Sequence, residues 1–181
     1  MVRPQEHSPA LAQAIPAAKP TATPPVVAPG AQNAAKYLNQ AIRALRVEHS
    51  PKNTLALLDQ HSAELHQAFA HESLLLRVDA MLALGQQTQV LWLLDGMSLP
   101  NEATSRTLLV TRGQLRAAAN RCPEAIADFD HALANGGQPS KPALLGRALC
   151  KDRLGDSAGA QLDRQRLRQE FPDDPAAKAA P

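Results

Sequence analysis

Aromatic side chains are almost missing from this chain, with one Trp, one Tyr and three Phe in 181 residues. β-Sheets lean on aromatic and β-branched residues for cross-strand packing. A core built from Leu, Ala, Val and Ile suits closely packed helices instead. No apolar run approaches the ~18–20 residues that cross a bilayer. Charge of one sign is also lacking: 19 basic and 17 acidic residues leave a net charge of +2, too little for a domain-wide field directed at nucleic-acid phosphates. The densest basic stretch, Arg164, Arg166 and Arg168 between Asp163 and Glu170, reads as the solvated face of a terminal helix. Neither GxSxG nor a Gly-rich phosphate loop occurs. Gly136 and Gly137 precede Lys141, but Pro139 and Pro142 break the turn a phosphate cradle needs. Asp128 and Asp130 follow helical surface spacing and carry no sign of desolvation. The chain is therefore expected to be non-catalytic, with no catalytic residue, cofactor, metal or small-molecule substrate.

Histidines come closest to a metal site. His61, His66 and His71 recur every five residues. On a helix, that step turns the side chain by about 140°, so His61 and His66 point to different faces. The i, i+4 pairing and the HExxH pattern of zinc sites are both absent. They are expected to be separate surface or turn residues.

What the chain does have is a four-fold echo. Its clearest copies are RGQLRAAANRCPEAIADFDHAL (112–133) and GRALCKDRLGDSAGAQLDRQRL (146–167). Thr54, Val90, Ala125 and Ala160 occupy equivalent positions, 36, 35 and 35 residues apart. Five residues before them stand His49, Gly85, Asn120 and Gly155; Gly and Asn tolerate the positive φ that ends a helix. Each copy reads as helix, turn, helix, and a repeat of this length signals a helical solenoid. Four residues past the anchors, Leu58, Leu94 and Phe129 are apolar while the last copy has Arg164; one residue past them, Leu55, Leu91 and Ile126 give way to Gln161. A terminal repeat needs this polarity, because no neighbour covers its outer face.

Residues 1–32 hold seven of the fifteen prolines and eight alanines, a composition expected of a disordered linker. The opening residues do not read as a signal peptide, since Gln13 and Pro16 interrupt any apolar core. Helices are predicted near 33–47, 52–68, 71–84, 86–97, 103–119, 122–135, 141–154 and 156–170. Ser50 and Asp156 are predicted N-caps, Pro51 and Pro123 fit first turns, and Gly136 and Gly137 suit a helix end. The repeat domain is expected over 33–172, with a flexible tail over 173–181.

The third copy, with Gly113, Asn120, Arg121, Ala125, Phe129 and Ala132, resembles a tetratricopeptide repeat. The fourth keeps Ala148, Gly155, Ala160 and Pro172. Arg116 and Lys151 replace the aromatic usual on the first helix, and Thr54 and Val90 replace the usual Ala. The resemblance covers 33–172 and implies an all-α solenoid of about four antiparallel hairpins stacked with a right-handed twist. It also implies a concave partner-binding face of Asn39, Arg43, Leu75, Asp79, Val110, Gln114, Leu145 and Leu149, suited to a helix or extended segment of a protein partner. Several of these eight could equally serve to pack neighbouring hairpins. Facing layers would bring Cys122 and Cys150 within the ~4.4–6.8 Å Cα separation of a disulfide; two buried thiols are the alternative. Blocks such as ALLDQHSAEL and VDAMLALGQ also resemble helical-repeat regions of myxobacterial envelope proteins linked to anti-sigma signalling. That resemblance implies an envelope setting if a membrane span lies upstream of Met1, and a cytoplasmic one otherwise. A monomeric interaction scaffold is the leading expectation. Its rival is a structural or envelope-assembly protein that stacks with other chains, distinguishable by light scattering across a concentration series.

Overall fold

The computed structural model describes residues 29–99, 105–134 and 140–175, and over these the chain is all-helical, with no strand. The helices are α1 (Pro29–Arg46), α2 (Pro51–Gln60), α3 (Ser62–Ala83), α4 (Gln87–Asp95), α5 (Arg106–Ala118), α6 (Cys122–Leu133), α7 (Lys141–Arg153) and α8 (Ser157–Glu170). The expected disorder of the first residues, the helix end at Gly136 and Gly137, and the tail beyond Pro175 lie outside the described residues.

Two boundaries differ from expectation. Helix α1 begins at Pro29 rather than 33, so residues 29–32 belong to the helix and not to a linker. Pro29 suits that start, since a first-turn residue has no intrahelical N–H bond to lose. The stretch predicted as one helix over 52–68 is interrupted at His61 (φ −114°, ψ 27°). The His61 ring stacks on Tyr37 of α1, with centroids 3.5 Å apart and planes within 8°, a tertiary contact that helical periodicity does not announce. The break expected near 69–70 appears as a kink inside α3, where Phe69 leaves helical geometry (φ −144°, ψ 45°).

The turns are built alike. His49, Gly85, Asn120 and Gly155 all have positive φ, at 49°, 72°, 59° and 84°. In the last three, two hydrogen bonds close the helix end. Gly85, Asn120 and Gly155 donate to the carbonyls of Leu82, Ala117 and Asp152, while Gln86, Arg121 and Asp156 donate to those of Met81, Arg116 and Lys151. This is the Schellman pattern, which satisfies carbonyls the helix leaves open. The first turn departs from it: Ser50 N–H reaches Ala44. Asp156 caps α8 through a 2.9 Å bond from Gly159 N–H. Ser50 precedes α2 but its side chain makes no cap hydrogen bond.

Each helix packs on its successor, and α1 also packs on α3 as α5 does on α7. The anchors Thr54, Val90, Ala125 and Ala160 are fully buried. Around them runs a series of apolar clusters: Leu38, Leu58 and Leu65 in the first, Val78, Leu94 and Leu108 in the next, then Leu109, Phe129 and Ala143, and finally Leu144 with Leu167. Phe129 of α6 is completely buried and pressed between two glycines. A Cβ on Gly113 of α5 would lie 2.7 Å from its ring, and one on Gly146 of α7 would lie 2.5 Å away. The absence of side chains at those two points lets one aromatic ring fill the space among three helices. Beside it, Cys122 of α6 and Cys150 of α7 form a disulfide, with Cα atoms 5.1 Å apart.

Candidate functional site

Of the eight residues predicted for the binding face, three come together. Gln114 on α5 and Leu145 and Leu149 on α7 line one hollow of about 420 Å³, floored by Ala117, Ala118 and Gly146. The small side chains of Ala117 and Ala118 on α5 border that space, as do Lys141 and Pro142 from the first turn of α7. A second hollow, of about 570 Å³, shares Gln114, Lys141 and Pro142 and continues past Val110, Thr111 and Arg106 to Phe171. Together they form a groove along α5 and α7. Leu149 is 48% exposed there.

The other predicted residues serve differently. Val110 borders the second hollow but is mostly buried in the cluster around Phe129, and Leu75 packs against the cluster of Val78 and Leu94. Asp79 accepts a 2.5 Å ion pair from Arg46. Arg43 pairs with Glu48 at 3.4 Å, and Asn39 is exposed on α1. None of Asn39, Arg43, Leu75 and Asp79 lines the α5/α7 groove.

The clearest polar structure is one that helical spacing did not disclose. Asp128, expected on the solvated surface, is only 2% exposed. Its carboxylate takes a forked pair from Arg112, with Nη2 at 2.7 Å and Nε at 3.1 Å, and a third bond from Arg116 Nη1 at 2.8 Å. Arg112 turns its remaining nitrogen, Nη1, to the carbonyls of Leu94 and Met97 at the end of α4, at 3.0 and 3.2 Å. Thirty-five residues on, the pattern returns. Asp163, also buried, is clamped by Arg147 and by Lys151 Nζ at 2.9 Å. Arg116 and Lys151, which stand where the resemblance led one to expect an aromatic, are the second clamp in each copy.

Arginines on α3, α5 and α7 also reach back to the preceding helix pair. Asp59, Asp95 and Asp130 occupy equivalent places near the ends of α2, α4 and α6, each five residues beyond its anchor. They are met by Arg77 at 2.6 Å, Arg116 at 2.7 Å and Arg147 at 2.6 Å. Arg121 also binds Asp95, at 2.6 Å. Burial pushes the Asp163 carboxyl up, but hydrogen bonds from Arg147 and Lys151, helped by their charges, outweigh it and hold the group below its ordinary value. Burial likewise opposes ionisation of Asp95 and is overcome by Arg121 and Arg116. Such carboxylates are committed to structure and have no proton to offer at neutral pH. The missed signal was the inheritance of Arg77, Arg112 and Arg147, spaced by 35, alongside the apolar repeat.

No protein-family model, curated protein or solved structure matches this chain.

The remaining candidates carry less. Among the described residues, no group of three His, Cys, Asp or Glu side chains could hold a metal ion. His61 stacks on Tyr37, while His66 and His71 line a cavity of about 690 Å³ between α3 and the start of α5. Among the described residues, no helix is long and apolar enough to cross a membrane.

Proposed function

We propose that this chain is a non-catalytic protein-interaction module, and that it receives a segment of a protein partner in the α5/α7 groove. The observation that carries the reading is the convergence of Gln114, Leu145 and Leu149 on one hollow, with Leu149 half exposed there. Buried ion pairs and the Cys122–Cys150 bond hold the walls of that groove. A rigid, preformed site lowers the ordering cost of association. In this proposal the helix pairs stack as a tetratricopeptide-like solenoid. Positive-φ turns at 35-residue spacing and the paired α1/α3 and α5/α7 contacts support it. The disulfide favours an oxidising compartment and hence the interaction domain of an envelope signalling protein.

The test is comparative affinity capture from the source cell with wild type and Leu149→Glu. Because Leu149 is half exposed, the substitution should leave the helical circular dichroism unchanged while placing a charge on the groove. A partner retained by wild type and lost from Leu149→Glu is the expected result. Identical partner sets on both proteins would remove the groove from the function.

A further inference from the structure

We infer that the α5/α7 groove selects an extended segment in which two acidic side chains flank an aliphatic one. This rests on the groove being the binding face and adds the chemistry of its occupant. Cations line the groove, and among the described residues no carboxylate does. Lys141 is answered by Asp174. Arg153 donates Nη1 to the Ala117 carbonyl at 2.8 Å, which satisfies a hydrogen bond, and it forms no ion pair among the described residues. Arg106 forms no ion pair among the described residues. By contrast Arg77, Arg112, Arg116 and Arg147 each face a carboxylate. Among the described residues, Arg106 and Arg153 at the ends of this groove have no carboxylate partner.

Spacing sets the occupant's form. Arg106 begins α5, and Arg153 is anchored at Ala117 near its end. At 1.5 Å per residue the two sites stand about 16 Å apart along the helix. An extended chain covers that distance in about five residues. A helix would need about eleven residues to cover the same span, so the separation of the two acidic positions distinguishes the two forms. The middle of the segment lies over Leu145, Leu149 and Pro142, where an aliphatic side chain buries against apolar surface.

The experiment pans a random-peptide phage library against the full chain. The enriched consensus peptide, labelled with fluorescein, is then titrated by anisotropy into wild type, Arg106→Glu/Arg153→Glu and Leu149→Glu. The expected consensus carries Asp or Glu about five residues apart around an aliphatic residue. Its affinity should fall at least about tenfold in the double arginine variant, and again between about 50 and 500 mM NaCl. A basic or uncharged consensus that still requires Leu149 would overturn the acidic selection while leaving the groove as the binding face. Peptides indifferent to all three substitutions would overturn both. Circular dichroism on each variant separates loss of binding from loss of fold.

Discussion

Phe129 has no direction in which to retreat. Gly113 stands on one side of its ring and Gly146 on the other, each without room for a Cβ. Replacing a helical glycine by alanine ordinarily gains about 1 kcal/mol in propensity. Here the added methyl forces a rigid ring into a packed wall, and overpacking of that kind costs about 1–3 kcal/mol. Gly146→Ala, with the closest approach at 2.5 Å, should therefore lower stability in urea denaturation, by up to about 2 kcal/mol net. Phe129→Leu should cost less in the Gly146→Ala background than in wild type, because the smaller side chain yields the contested space. Additive costs would show that the ring and the glycine do not compete. The sequence made Gly113 and Phe129 visible as packing positions of one copy. Nothing in it indicated that Gly146, from the next copy, completes the slot, because that contact crosses from one repeat to the next and is not set by the spacing within a copy.

At the scale of elements, the clamp on Asp163 joins α7 to α8 as the clamp on Asp128 joins α5 to α6. Asp163 has its folded pKa depressed below the ordinary aspartate value of 3.8. Its contribution to stability is thus complete above that ordinary value and disappears as pH falls through the lower folded value. Melting temperatures measured from neutral pH downward should fall below about pH 4, and Asp163→Asn should show a shallower fall over that range. At neutral pH the same substitution should cost about 1–3 kcal/mol, since Lys151 loses its carboxylate while Asp130 still answers Arg147. Parallel pH profiles for the two proteins would count against the clamp. Helix ends were legible because their chemistry is local: Gly85, Asn120 and Gly155 announce a left-handed residue by type alone. His49 does not, yet it adopts the same φ. Asp128 was misread for the converse reason. Its spacing places it on a helix face, and only packing against α5 turns that face inward.

For the whole molecule, the covalent tie between α6 and α7 joins two successive helix pairs across 28 residues of chain. Closing a loop of that length restricts the unfolded chain by about 3–4 kcal/mol. Thermal melts with and without reductant should differ by about 10 °C, and Cys122→Ser/Cys150→Ser should melt like the reduced protein. Equal melting temperatures for oxidised and reduced wild type would show that the tie does not carry the fold. The all-helical class was readable from the scarcity of aromatics and the recurring turns. The groove was readable only in part: Gln114, Leu145 and Leu149 converge because α5 lies on α7, while Asn39 and Arg43 on α1 have no share in it.

The backward-reaching arginines also bear on how such a chain could have grown. Helices α3, α5 and α7 each bring a cation that meets a carboxylate near the end of the helix before it, so one unit's tail suits the next unit's head. A contact of that head-to-tail kind does not close on itself, and tandem duplication of a single unit would lengthen the row without inventing a new interface. The place where the next carboxylate belongs is taken by Gln165. A further helix pair packed on α8 would meet an amide there in place of a carboxylate.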